Sequence, residues 1–169
     1  MCPRRECQSI FIGYYVNRNG TYFLTGTSKG TKQTREFPQT ISDISPNFVK
    51  IYQQAEAAEQ DGLAEICGVG YRKAIEFLVK DYAIKQNPGR QEEIQNKFLG
   101  NCIEEFVDDS RVKGVAKRAV WLGNDEAHYV RQWEGKNLED LKALIRLTVH
   151  WLEMVSETER FEREMPAKH

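Results

Sequence analysis

The stretch Asn137-Leu138-Glu139-Asp140-Leu141-Lys142-Ala143-Leu144-Ile145-Arg146-Leu147-Thr148-Val149-His150-Trp151-Leu152-Glu153-Met154-Val155 decides the fold. Leu138, Leu141, Ile145, Thr148, Leu152 and Val155 recur at helical intervals, so they line one face, which Leu144 and Trp151 widen. Asn137 stands where an N-cap is needed, and Asp140 is three residues on, the spacing of a capping box. A helix with one apolar face must bury it against a neighbour, so this segment predicts a multi-helix body. From about Glu159 the chain turns densely charged and is expected to fray.

Upstream, four more segments carry helical patterns. Ser45-Pro46 opens the first, serine as cap and proline at the first helical position, where its missing N–H costs nothing. This helix is predicted from Pro46 to about Gln60, with Phe48, Ile51, Tyr52 and Ala55 inward, and Asp61-Gly62 ends it. A second runs from Leu63 to about Gln86. Gly68 and Gly70 inside it each cost about 1 kcal/mol relative to alanine, a cost that close approach of another helix would offset. Asn87-Pro88-Gly89 breaks the chain. A third helix is predicted from Gln91 to about Phe106, with Phe98, Leu99, Cys102, Ile103 and Phe106 apolar. A fourth follows Asp108-Asp109-Ser110, whose carboxylates suit a helix N-terminus, and reaches at least Trp121.

The first forty residues differ in texture. Two runs rich in β-branched and aromatic residues, Ser9–Val16 and Thr21–Thr25, flank Asn19-Gly20, a strong hairpin signal because both residues tolerate positive φ. A lone hairpin is marginal in water, so its apolar side chains are expected to pack on the helices or on another chain. Gly26 to Pro38 reads as a polar loop. The predicted fold is therefore all-α (mainly α): an antiparallel bundle of about five helices with a small N-terminal β-hairpin. Residues 1–44 form the lead-in, 45–158 the helical domain and 159–169 a charged tail.

Composition narrows the function. The chain has 169 residues, enough for one domain, and 24 basic against 25 acidic residues leave a net charge of −1. It is no polycation, so contact with nucleic acid would need a local patch. No apolar run approaches the ~20 residues of a membrane helix, and no apolar segment of signal-peptide length follows the basic start, so a cytoplasmic protein without membrane attachment is expected. Cys67 and Cys102 fall in helical patterns and read as buried thiols. Cys2 and Cys7 resemble half of a zinc knuckle, but tetrahedral zinc needs four ligands, so no metal is expected. Phosphate-loop, dinucleotide and metalloprotease motifs are absent, and no cofactor is implied.

The segment Trp121-Leu122-Gly123-Asn124-Asp125-Glu126-Ala127-His128-Tyr129 concentrates the chemistry. His128 is the candidate acid/base, because an imidazole trades protons near neutral pH; a structural histidine is the plainer alternative. Asn124 would orient a phosphate or the histidine, or else Gly123-Asn124 simply ends or kinks the helix. Asp125 and Glu126 diverge by about 100° on a helix, so they are expected to cap the next turn or to pair with Lys117 or Arg118. Trp121 and Tyr129 would stack a base or serve core and interface. On a continuous helix, Trp121, Asn124, Asp125 and His128 would share a face. Arg111, Lys113, Lys117 and Arg118 form the local basic run, a candidate phosphate contact or a solvated face. Arg72 and Glu76, four apart on the second helix, read as an ion pair tying helices together or as the source of an arginine for the His128 site.

The order of these features resembles the bacterial "domain of unknown function 4145" family. The resemblance rests on Gln54-Ala55-Glu56-Ala57-Ala58, then Gly70-Tyr71-Arg72-Lys73-Ala74-Ile75-Glu76, then Gly123-Asn124-x-x-Ala127-His128 about fifty residues later and a final amphipathic helix. It covers roughly residues 45 to 159. It implies membership of the HEPN superfamily (higher eukaryotes and prokaryotes nucleotide-binding): helical bundles that often dimerise, found in defence and toxin–antitoxin contexts. Some members are metal-independent ribonucleases with four to six residues between an arginine and a histidine; others only bind partners. This chain has nine residues between Arg118 and His128, and Val120 occupies the position where the commoner form carries arginine. The expectation is a homodimeric module that binds a protein partner or RNA. The alternatives are an endoribonuclease using His128 with Arg118 or Arg72, and a pure dimerisation scaffold.

Overall fold

The computed structural model describes residues 10–28 and 32–166; Cys2 and Cys7, with the half-knuckle they suggest, lie outside the described residues. The hairpin forms as predicted. Strands β1 (Gly13–Arg18) and β2 (Thr21–Thr27) pair antiparallel, with a bulge between Tyr14 and Tyr15. Asn19 and Gly20 both have positive φ, 52° and 82°, as a two-residue turn of the primed type requires. The Gly20 N–H donates to Asn17 Oδ1 at 2.9 Å, closing the turn. By register Tyr15, Tyr22 and Leu24 share one face, Val16 and Phe23 the other, and all five are exposed. The helical body does not cover the hairpin.

The body is mainly α. Its helices are α1 (Gln39–Ile44), α2 (Pro46–Gln60), α3 (Ala64–Gln86), α4 (Gln91–Asn96), α5 (Leu99–Phe106), α6 (Ser110–Asp125) and α7 (Leu138–Glu164), with a 3₁₀ turn at Pro88–Arg90 before α4. Ser45 caps α2 as predicted: its Oγ accepts the Phe48 N–H at 3.2 Å, while its hydroxyl donates to the Asp81 carboxylate on α3. Helices α2 and α3 turn back on each other at Gly62, whose φ is 75°. Gly70 meets Ala55 at this crossing: a Cβ on Gly70 would stand 2.9 Å from that of Ala55. The glycine is thus offset by close helix approach, as its cost requires.

The core is organised on α3, whose Tyr71, Ala74, Ile75, Leu78 and Val79 are buried against α2, α5, α6 and α7. Phe37, Phe48, Tyr52 and Tyr71 form a chain of aromatic contacts with centroids 4.8 to 5.8 Å apart. At its edge Glu59 joins three helices, accepting from Tyr71 Oη at 2.6 Å and Lys142 Nζ at 2.9 Å. Burial raises the Glu59 pKa, but these two hydrogen bonds and the Lys142 charge outweigh it and hold the carboxyl below its usual value. Burial and the Glu59 carboxylate together push the Tyr71 phenol upward.

Four boundaries differ from the sequence prediction. A short α1 precedes Ser45, with Ile41 fully buried and Thr40 bonded to Glu157 of α7 at 2.9 Å. The predicted third helix is two, because Lys97 and Phe98 are extended, with ψ of 142° and 138°. The break lets Ile94 and the Leu99, Cys102, Ile103, Phe106 face bury independently and leaves Phe98 85% exposed. Arg90 and Lys97 both pair with Glu93 and Glu105 across this break. Helix α6 runs through Gly123-Asn124, and α7 continues into the charged segment as far as Glu164. Its capping box is present as predicted, with Asn137 and Asp140 exchanging bonds at 3.1 Å. Among the described residues no helix is long and apolar enough to cross a membrane.

Candidate functional site

Helix α6 lies between α3 and α7, and its two sides hold different chemistry. Toward α3 the helices meet at two glycines. A Cβ on Gly123 would lie 2.7 Å from Arg72 Cγ, and one on Gly68 2.7 Å from Glu126 Cβ. Over this contact Arg72 Nε donates to Asn124 Oδ1 at 2.8 Å and Arg72 Nη1 to Glu76 Oε2 at 2.9 Å. Glu76 also takes Lys80 at 2.9 Å. Burial raises the Glu76 pKa, but hydrogen bonds from Lys80 and Arg72 outweigh it, so the carboxyl titrates below its usual range. Gly123-Asn124 therefore does not interrupt the helix, which continues to Asp125. The missing side chain admits the Arg72 stem, and Asn124 spends its carbonyl on the guanidinium rather than on its own backbone.

Past α6 the chain turns sharply. Asp125 is 8% exposed, and its Oδ2 accepts the N–H groups of Gln132 at 3.0 Å and Trp133 at 2.7 Å. Glu126 pairs with Arg131 at 2.5 Å. The two carboxylates thus fasten the loop to the helix end. Neither pairs with Lys117 or Arg118, because the loop supplies nearer donors. His128, Tyr129 and Val130 sit at the exposed tip of this loop. His128 makes no hydrogen bond or ion pair with the described residues, and since α6 ends at Asp125 it does not share a helix face with Trp121 and Asn124.

Toward α7, the loop brings Trp133 onto Trp121, the rings parallel within 6° and their centroids 6.0 Å apart. The Arg118 guanidinium lies 5.9 Å from the Trp121 ring and donates to the Gly114 carbonyl at 2.8 Å. These groups line a pocket of about 430 Å³ completed by Leu122, Lys136, Asp140, Ala143 and Leu144. Its walls are largely apolar, with a few charged groups at the rim, the usual make-up of a binding pocket. Trp133 and Lys136 are absent from the sequence-derived candidates. The visible signal was an aromatic residue inside an otherwise polar loop, Gln132-Trp133-Glu134-Gly135.

The remaining basic residues are mostly engaged. Lys113 and Lys117 both pair with Glu104 of α5. Arg111 pairs with Asp109 at 3.0 Å and lies over the Trp151 ring. That hydrogen bond holds the Asp109 carboxyl down to about 2. Of the candidates, the structure joins Arg72 to Asn124, and Arg118 to Trp121. It sets these two groups on different sides of α6. Among the described residues, no His, Cys, Asp and Glu side chains cluster in a way that could hold a metal ion.

The fold defines a class, a mainly α bundle whose sixth helix and following loop carry the distinctive residues. The chain belongs to the family described as Domain of unknown function (DUF4145), whose profile matches residues 53–168, from the middle of α2 to beyond the end of α7. No curated protein and no solved structure matches the chain.

Proposed function

We propose that the chain is a HEPN-like homodimeric binding module that engages a protein partner and carries out no nuclease chemistry. One observation carries this reading: the groups a metal-independent ribonuclease would need to converge on one phosphate are spread over three places within the protomer. Arg72 is committed to Glu76 and Asn124 on the α3 side of α6. Arg118 stands in the tryptophan pocket on the α7 side, and His128 stands on an exposed turn. General acid/base catalysis requires the proton-transfer group within hydrogen-bond reach of a substrate that is itself held by the charge-stabilising group.

Pairing of Lys113 and Lys117 with Glu104 favours a protein partner over RNA, because cations already neutralised release few counterions from a phosphate backbone. The stacked indoles and Arg118 offer the aromatic and guanidinium groups that anchor protein interfaces. The uncovered apolar hairpin supports self-association.

The test is incubation with total RNA in EDTA, wild type beside His128→Ala. Neither protein is expected to cleave. Cleavage by wild type that vanishes in the variant would restore the endoribonuclease. Labelled RNA titrated at rising salt is expected to show no specific binding; affinity falling steeply with salt would make RNA the partner.

A further inference from the structure

Helix α7 carries two apolar seams; the bundle buries one, and of the other it partly covers Leu144 and Trp151, which pack against the core, and leaves the residues between and beyond them exposed. Leu141, Ile145, Thr148 and Leu152 are buried against the body. A second series, Leu144, Leu147, Trp151, Met154, Thr158 and Phe161, advances in alternating steps of three and four along the same helix, and Met165 follows four residues on, just past the helix end. That is a 3.5-residue repeat, the period of a coiled-coil seam. Leu147, Met154, Phe161 and Met165 on it are 45%, 48%, 50% and 73% exposed. From Leu144 to Phe161 the helical part of the stripe is about 26 Å long at 1.5 Å per residue, too continuous for apolar residues scattered singly over a surface.

We infer that this seam is the interface with a second copy of the chain, the two α7 helices lying antiparallel about a two-fold axis near Met154. Charge sets the direction. At the N-terminal end of α7, Lys136 pairs with Asp140 and Lys142 with Glu59 and Glu139, which leaves Arg146 as a cation with no acidic partner among the described residues. From Trp151 to Glu164, Glu153, Glu157, Glu159, Glu162 and Glu164 outnumber Arg160 and Arg163. Antiparallel helices lay each acidic end along the other's N-terminal end, where Arg118 adds a second guanidinium with no carboxylate partner among the described residues. Parallel helices would set the two acidic ends side by side, which like-charge repulsion disfavours.

The register follows from the same stripe. With Met154 beside the axis, Trp151 faces Thr158, Leu147 faces Phe161 and Leu144 faces Met165 of the other copy. Leu144 is also a wall of the tryptophan pocket. The acidic end of one α7 therefore closes one side of the other copy's pocket, and each protomer completes its neighbour's site. This inference rests on the homodimer in the proposed function and adds its surface, direction and register.

The test uses the full chain with Cys2→Ser and Cys7→Ser. Light scattering on the parent is expected to give twice the 19.6 kDa chain mass. Met154→Glu, which buries two like charges at the axis, is expected to weaken association by about 100-fold with the helical content unchanged. An equimolar mixture of Leu147→Cys and Phe161→Cys is expected to oxidise to the mixed disulfide dimer. A monomeric parent overturns both the homodimer and the seam. A dimer that Met154→Glu leaves intact, or one that cross-links Leu147→Cys to itself, overturns the antiparallel seam and leaves the homodimer standing through another surface, the hairpin first among them.

Discussion

Replacing Gly123 by alanine tests how α3 and α6 are joined. An alanine inside a helix is normally worth about 1 kcal/mol over glycine, so propensity alone makes Gly123→Ala stabilising. The structure reverses the sign. The new Cβ would lie 2.7 Å from Arg72 Cγ, 2.8 Å from its Cβ and 3.3 Å from its Cα. Those atoms are the root of the Arg72 side chain and its backbone, so no rotamer change relieves the contact and one helix must shift. Overpacking of this kind costs about 1–3 kcal/mol, and a shift also strains the Arg72–Asn124 bond. The net expectation is a loss of up to about 2 kcal/mol, or a Tm lower by up to about 6 °C for a domain of this size. Gly100, exposed in α5 with nothing within 4 Å of its would-be Cβ, is the control; Gly100→Ala is expected to be neutral or to stabilise by up to about 1 kcal/mol. Urea unfolding of the two variants beside wild type gives the comparison. If Gly123→Ala is as stable as Gly100→Ala, close approach at this crossing is not what the glycine serves.

Two further outcomes follow from the same geometry. Asp125→Ala removes the acceptor of two backbone N–H groups and is expected to cost about 1–2 kcal/mol; the Gln132 and Trp133 amides should exchange with solvent much faster, and protection equal to wild type would show that Asp125 does not hold the loop. Acid is expected to destabilise the fold. Glu59, Glu76 and Asp109 all have folded pKa values below their usual ones. Such groups stabilise the folded state above their unfolded pKa, and this is lost as pH falls through the folded value. Urea-derived stability should be flat from pH 7 to about 5 and fall between about 4 and 2; a stability unchanged from pH 6 to 3 contradicts these assignments.

Much of the fold is legible in the chain because it is local. The Ser45-Pro46 start, the Asn137/Asp140 capping box and the Asn19-Gly20 turn are each satisfied within a few residues, so spacing alone specifies them. The split at Lys97-Phe98 is not local: helical periodicity runs through it, and only the competition of Ile94 and the Leu99 face for separate parts of the core breaks the helix. Short α1 is likewise held by burial of Ile41 against distant helices rather than by any cap of its own.

The candidate site divides along the same line. The sequence by itself determined that α6 and its following turn concentrate histidine, carboxylates, arginine and aromatics, because composition is a property of the chain. Tertiary structure alone decided how they group. Arg72 comes from 52 residues upstream to claim Asn124, and Trp133 folds back to claim Trp121. A glycine that looks like a helix breaker proves to be a contact surface, because the adjoining helix fills the space its side chain leaves. The same holds for α7: its sequence contains both apolar seams, and only the assembled bundle shows which one is buried and which is only partly covered.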